Sequence, residues 1–302
     1  MTVTGPPEPD AQPKRPRMCV VGSVNVDHVA FCSRFPKPGE TVTDATFARH
    51  PGGKGANQAL AASRLGAQVS LLAAVGADSL ADYGLSLLRR GAVDLSGVVV
   101  VENESTGIAL ILVDETGENQ IVVAPGANRT LRRSDVDVRD FAVVLCQLEV
   151  RDEVVLEAAR QCTGLYLLNA APARHLPRSL IDRADVIVVN ESEHASLAED
   201  LAGFERLLIV TRGAAGAHAL RAGHRLAEAV PPRVNAVDTV GAGDAFCAAL
   251  AVRLSIGTPV QAALEAACAA GALAASARGA QPSFPTTAEV EIVLAKMRNG
   301  LD

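Results

Sequence analysis

The chain has 302 residues, 49% of them hydrophobic and 21% charged, which is the composition of a globular protein with a large buried core. A net charge of −6 carries no general attraction for nucleic acid or anionic membrane, so neither is expected as a partner. Six cysteines at 19, 32, 146, 162, 247 and 268 include no C-x-x-C pair and read as reduced, buried thiols.

Residues 1–17 form a Pro-rich leader whose only basic cluster is "PKRPR", and a solvated tail is expected there. The next segment meets Asn25 and Asp27 too soon for a signal-peptide core, and no apolar run is long enough to span a bilayer; a cytoplasmic protein is expected by elimination. Residues 18–302 then read as one α/β domain. Short apolar runs recur: "MCVVGSV" (18–24), "VSLLAAV" (69–75), "FAVVLCQL" (141–148), "LYLL" (165–168), "DVIVV" (185–189) and "RLLIV" (206–210). They do not alternate polar with apolar, the pattern of strands buried on both faces. Helical patterns lie between them: "NQALAASRLG" ending at Gly66, "SLADYGLSLLRRG" from Ser79 to Gly91, and "RDEVVLEAARQC" with acids in its first turn. Strand alternating with helix predicts βαβ units around a central, mostly parallel sheet flanked by helices.

Two segments break this rhythm. "HVAFCSRFPKPGETVTDATFARH" (28–50) has strand-like pieces with no helix between them, and "TGIALILVDETGENQIVVA" (106–124) reads as a hairpin. Insertions at about 28–50 and 103–125 therefore predict a small β-sheet laid over the edge of the main one. After Asp244 the chain is helical and rich in alanine.

No G-x-x-x-x-G-K-[ST] loop, G-x-G-x-x-G fingerprint, H-E-x-x-H or G-x-S-x-G elbow occurs, which removes P-loop, dinucleotide-binding, zincin and α/β-hydrolase chemistry. Polar residues gather instead where strands end. "GSVNVD" carries Asn25 and Asp27; "PGGKGANQA" surrounds Lys54 with glycines, with Asn57 opening a helix; "QLE" ends in Glu149; "NESE" carries Asn190 and Glu193; "TRGAAG" follows the strand at 206–210. Ligands of open α/β sheets bind beyond the carboxyl ends of the strands. Each residue alone is explained as a cap, a turn or a surface group. In "DTVGAGDAF" (238–246) a loop with Asp244 as N-cap is likewise a sufficient reading of those residues by themselves.

Taken together, "GSVNVDH", "PGETV", "PGGKGANQA", "STGIALI", "PGAN", "QLE", "NAAPAR", "NESE", "DTVGAGDAF" and "GAQPS" resemble the ribokinase-like superfamily of sugar and nucleoside kinases, its ribokinase branch in particular, over about residues 18–290. The resemblance implies an ATP-dependent kinase producing ribose 5-phosphate. Asp244 would be the catalytic base, and the N–H groups of Gly241, Ala242 and Gly243 an anion hole at a helix N-terminus, where orphan donors and the dipole attract phosphate. It assigns Asn25, Asp27, Gly53, Lys54, Asn57 and Glu149 to the sugar, and Asn190 with Thr211, Arg212, Gly213, Ala214, Ala215 and Gly216 to ATP. Glu193 would help hold Mg²⁺ through water. A K⁺ ion would take oxygens from Asp238, Val240, Ala274, Ala277, Gly279 and Ser283. The small sheet would be a lid that also pairs two subunits into a homodimer. Kinases of 2-deoxyribose, fructose or adenosine on the same fold, or a non-catalytic sugar-binding regulator, remain the alternatives; the low aromatic content (3%) counts against a nucleoside.

Overall fold

The six unbroken apolar runs become six strands of one nine-stranded sheet, seen in a computed structural model that describes residues 15–300. Residues 1–14 of the expected leader fall outside the described residues, and Arg17 already belongs to the first strand. Seven strands run parallel to one another: β1 (Arg17–Val21), β4 (Gln68–Gly76), β5 (Val98–Val101), β8 (Val143–Gln147), β9 (Leu165–Asn169), β10 (Val186–Asn190) and β11 (Leu207–Thr211). The hairpin β12 (Ala217–Arg221) and β13 (His224–Ala229) closes one edge in antiparallel fashion. The spatial order is β13-β12-β11-β10-β9-β8-β1-β4-β5.

Both faces of this sheet are covered, which is why its strands do not alternate. In β8, Val143 and Leu145 enter one apolar cluster while Val144 and Cys146 enter the other. The first cluster is closed by α1 (Lys54–Arg64), α2 (Ser79–Arg90), α6 (Ala242–Ser255), α7 (Val260–Ala275) and α9 (Thr287–Arg298). The second is closed by α3 (Asp152–Gln161) and α4 (Arg178–Arg183). All six cysteines are free and buried. No helix among the described residues is long and apolar enough to cross a membrane.

A separate four-stranded sheet has the order β3-β2-β6-β7, from β2 (Asn25–Phe31), β3 (Thr46–Gly52), β6 (Gly107–Val113) and β7 (Asn119–Ala124). Its first strand starts earlier than the sequence pattern implies, because Asn25 and Asp27 are themselves part of β2 rather than of a loop. The sheet grows out of the turn Gly22-Ser23-Val24 beyond β1 as well as from the edge strand β5, and it carries Asp27 within reach of the Glu149 and Asp244 charges. Its register sets two faces. Asp27 stands beside His50 and Ala109, and Ala109 beside Val123. The neighbouring rows place Arg49, His28, Leu110 and Val122 on the opposite face.

Candidate active site

The carboxyl ends of β1, β8, β9, β10 and β11 line up side by side, and the polar residues of the sequence motifs collect above them. Asp244 is the third residue of α6, not its cap; the cap is Gly241, at φ 83°. A Cβ on Gly241 would lie 2.6 Å from Ala280 Cβ, so the left-handed turn and the close approach of α8 (Ala280–Ser283) both require glycine. The Asp244 carboxylate is buried and held at both oxygens. Asn57 Nδ2 donates to Oδ2 at 2.9 Å, and Gln58 Nε2 donates to Oδ1 at 2.9 Å.

Asn57 is available because α1 begins at Lys54, earlier than the opening expected at Asn57. Its cap is Gly53 (φ 89°) with no side-chain cap bond, so the asparagine is not consumed in capping. A Cβ on Gly53 would meet Asn25 N at 2.7 Å, and its absence lets α1 start against the β1–β2 turn. Lys54 N donates to Glu149 Oε2 at 3.0 Å, and the Ser23 hydroxyl donates to the same oxygen. Asn25 is oriented from behind: buried Asn128 Nδ2 donates to its Oδ1 at 2.8 Å and also to Val24 O.

The charges of this cluster act on one another. Burial pushes the Asp27 carboxyl up to about 7, with the Glu149 and Asp244 carboxylates adding to the rise and Lys54 opposing it. For the Lys54 ammonium burial acts downward, but Asp244 and Glu149 outweigh it and hold the group above the ordinary lysine value. A cavity of about 840 Å³ opens beside Glu149, walled by Val123 and Pro125 of the small sheet's side and by Arg129, Arg151 and Arg174.

Further along the strand ends, Asn190 and Thr211 are direct neighbours on β10 and β11. Asn190 caps the short helix α5 (Glu191–Ser196): its Oδ1 accepts from Glu193 N at 2.8 Å, and Glu193 Oε2 accepts from Asn190 N at 2.8 Å. Glu193 still lies close enough to raise the Lys54 ammonium. Gly213, Ala214 and Ala215 form one exposed turn, closed by Arg212 N donating to Gly216 O at 2.7 Å. Of the three N–H groups in the anion-hole motif, that of Ala242 donates to Thr239 O at 3.2 Å, while those of Gly241 and Gly243 have no backbone acceptor among the described residues. A Cβ on Gly243 would meet nothing within 4 Å, so no neighbouring element crowds the Cβ side of this residue.

The loops expected to wrap a monovalent cation are tied together by Asp238, whose Oδ1 accepts from Val240 N at 3.0 Å and whose Oδ2 accepts from Gly279 N at 2.8 Å. Two of the other expected oxygens are near partners of their own: Ser283 Oγ donates to Ala280 O, and Ala274 O accepts from Ala277 N.

This fold and strand-end arrangement have known counterparts. Residues 15–287 match the profile of the pfkB family carbohydrate kinases. The chain belongs to that family. The ribokinase of Bacillus subtilis is 38% identical over 293 residues, spanning 92% of this chain and 99% of its own. Among solved structures, the ribokinase of Thermotoga maritima aligns with a TM-score of 0.84 at 31% identity, over 93% of this chain and 99% of that one. The Arabidopsis thaliana ribokinase complexed with ribose and ATP aligns with a TM-score of 0.83 at 28% identity, over 93% and 99%.

In this pfkB-family kinase the expected sugar residues form one linked cluster with Asp244: Asn57 bonds it, Asp27 and Lys54 feel its charge, Lys54 N donates to Glu149, and Gly53 packs against Asn25. The residues expected at ATP form a second group at β10 and β11, and those expected at the cation a third group against Gly241. Sequence reasoning passed over Ser23, Gln58, Asn128, Gln147, Asn169 and Gln281, which buttress the first group from below. All six stand in plain view inside motifs quoted above: "GSVNVDH", "PGGKGANQA", "PGAN", "QLE", "NAAPAR" and "GAQPS".

Proposed function

We propose that the protein transfers the γ-phosphoryl group of ATP to the 5-hydroxyl of D-ribose, giving ribose 5-phosphate and ADP. The observation that carries this is a buried Asp244 carboxylate, held at both oxygens, one residue after an N–H with no backbone acceptor at the start of α6, in a chain that matches a ribokinase over 92% of its length. Asp244 takes the hydroxyl proton, the sugar oxygen attacks the γ-phosphorus, and ADP leaves. Phosphoryl transfer asks mainly for positioning and charge stabilisation. Gly241 and Gly243 supply donors to the transferring phosphoryl oxygens, and Lys54 supplies a fixed positive charge near the reacting groups. Asn25, Asp27, Asn57 and Glu149 take the sugar hydroxyls, a set of amides and carboxylates that leaves a cost wherever a hydroxyl is missing. Asn190 and the turn from Thr211 to Gly216 take the nucleotide.

Two metal ions belong to this reading. Among the described residues no group of three or more His, Cys, Asp or Glu side chains is arranged to hold a metal alone. Mg²⁺ keeps its waters and binds chiefly to nucleotide phosphates, with Glu193 reaching it through water. The carboxylate of Asp238 and the carbonyls of Val240, Ala274, Ala277 and Gly279, with the Ser283 hydroxyl, make an oxygen-only donor set suited to K⁺. When bound, K⁺ would fix the loop that carries Gly241. The small sheet serves as a lid over the sugar and as the contact between two subunits, and six buried free thiols fit a reducing cytoplasm.

The decisive measurement is ATP-dependent phosphorylation across D-ribose, 2-deoxyribose, fructose and adenosine, in the wild type and in Asp244→Asn. D-ribose should give the highest kcat/KM. The variant should bind sugar and ATP with little change while kcat falls by roughly 10²–10⁴, the range for a lost general base. A variant within a few-fold of wild type would remove Asp244 from the chemistry.

A further inference from the structure

Below the Asp244 carboxylate lies a set of side-chain amides in the interior. Gln58, Gln147 and Gln281 are fully buried, and Asn57 and Asn169 nearly so. Gln58 stands at the centre. Its Nε2 donates to Asp244 Oδ1 at 2.9 Å and to Asn169 Oδ1 at 3.0 Å, and its Oε1 accepts from Gln147 Nε2 at 2.6 Å. These bonds determine which end of the amide faces which partner. With Oε1 occupied by a donor from β8, the NH₂ group must face two acceptors, and one of them is the Asp244 carboxylate. Asn169, at the end of β9, is set in turn by donating to Val188 O at 3.4 Å.

A buried amide is costly unless each of its hydrogens finds an acceptor, and an apolar side chain would fill this interior position at lower cost. What the amide provides is direction. A carboxylate on a helix can turn about its terminal torsion, and one bond to a single oxygen would leave that rotation open. Asn57 holds Oδ2 and Gln58 holds Oδ1, so the carboxylate plane is fixed and each oxygen keeps a lone pair for the acceptor hydroxyl.

We propose that Gln58 is the positioning residue of the catalytic carboxylate, transmitting the rigid ends of β8 and β9 to Asp244 through a single amide. This rests on Asp244 being the base. Small displacements of a reacting group are expensive in rate: about 1 Å of misplacement costs on the order of 10²-fold.

The test compares kcat and the KM values for D-ribose and ATP in the wild type, Gln58→Met, Gln58→Glu, Gln147→Met and Asp244→Asn. Gln58→Met keeps the length and loses both donors; its kcat should fall by at least about tenfold with both KM values nearly unchanged. Gln147→Met touches no atom of Asp244 but releases Oε1 of Gln58, and should lower kcat in the same direction by less. Gln58→Glu puts a second carboxyl against the first, so one proton is shared between them, and the acid limb of its kcat–pH profile should move upward by about one unit or more. The other titratable groups facing Asp244 are Asp27 on β2, Lys54 on α1 and Cys247 one turn along α6, with Glu149 and Glu193 acting on Lys54; all are common to every variant. Gln58→Met with near wild-type kcat, a loss confined to KM, or a Gln58→Glu profile that overlays the wild type would each overturn the proposal. Should Gln58→Met fail to fold, Gln58→Glu and Gln147→Met decide by the same outcomes. If Asp244→Asn itself keeps full kcat, it is the base assignment that fails.

Discussion

Asp27 is a buried acid whose neighbours include two further acids, and that arrangement sets a pH dependence. Its carboxyl, normally near 3.8, is pushed up to about 7 by burial and by Glu149 and Asp244. Between those values the unfolded chain gives up the proton while the folded chain keeps it. Stability of the sugar-free protein therefore falls as pH rises through that window and levels off above 7, by at most about 4 kcal/mol. A sugar hydroxyl donating to Asp27 favours the ionised form, so the two effects oppose each other. Ribose affinity should weaken by about tenfold per unit as pH drops below 7, approaching that slope only where this one group dominates. Asp27→Asn should abolish the slope, lower ribose affinity severely and raise the melting temperature of the sugar-free protein at pH 8. Calorimetric titration and thermal melts between pH 5.5 and 8 check this, and a pH-independent wild-type affinity would contradict it. Asp27 was readable in the sequence because a lone acid stood just after an apolar run. Gln58, Gln147 and Asn169 stand in the quoted "PGGKGANQA", "QLE" and "NAAPAR", but no local pattern tells which partner a buried amide will face. Their partners lie 89 and 111 residues apart along the chain, a convergence only the fold creates.

Elements whose burial is uniform were legible, and those defined by a glycine were not. The inner strands announced themselves as unbroken apolar runs because each is covered on both faces. The start of α1 was displaced in the sequence reading because its cap is Gly53, which offers no side-chain signal, and Asn57 looked like the better opening. At α6 the same ambiguity made Asp244 look like a cap, although Gly241 holds that position. The N-terminus of α6 is supported from outside by one carboxylate: Asp238 ties the residues before Gly241 to Gly279 at the start of α8. That arrangement gives the proposed cation a measurable role. With ionic strength constant, adding K⁺ to enzyme in Tris buffer should raise kcat while ribose KM changes little, because the ion acts on donor placement rather than on the sugar. Asp238→Ala should have a low kcat and no response to K⁺. A wild type whose rate stays flat through the titration would show that these loops hold no activating ion.

Over the whole molecule, the alternation of strand and helix foretold a parallel sheet, yet its order did not follow from the sequence: β1 lies between β4 and β8, and the chain leaves it twice to build the second sheet. That second sheet also exposes large apolar side chains, among them Phe31, Ile121 and Val123 on the Asp27 face. Phe47 is 67% exposed, Leu110 50% and Val122 67%, on the face opposite Asn25 and Asp27. Single exposed apolar residues are ordinary; three large ones on one face of one small sheet are what the proposed subunit contact would cover. The rows are continuous, since Leu110 pairs with Val122 on one side and with His28 on the other. A second copy of the chain covering this face would also stiffen β2, and with it Asp27. The wild type should therefore sediment at twice the chain mass. Leu110→Asp combined with Val122→Asp places like charges directly opposite each other on an apolar face, which should give single chains. Those single chains should keep their KM for ATP, because Asn190 and Thr211 stand on the main sheet, and lose several-fold in KM for ribose, because Asp27 stands on the loosened one. A wild type that sediments as a single chain at every concentration, or a dissociated variant with unchanged ribose KM, would break the link between the outer face of this sheet and the sugar bound beneath it.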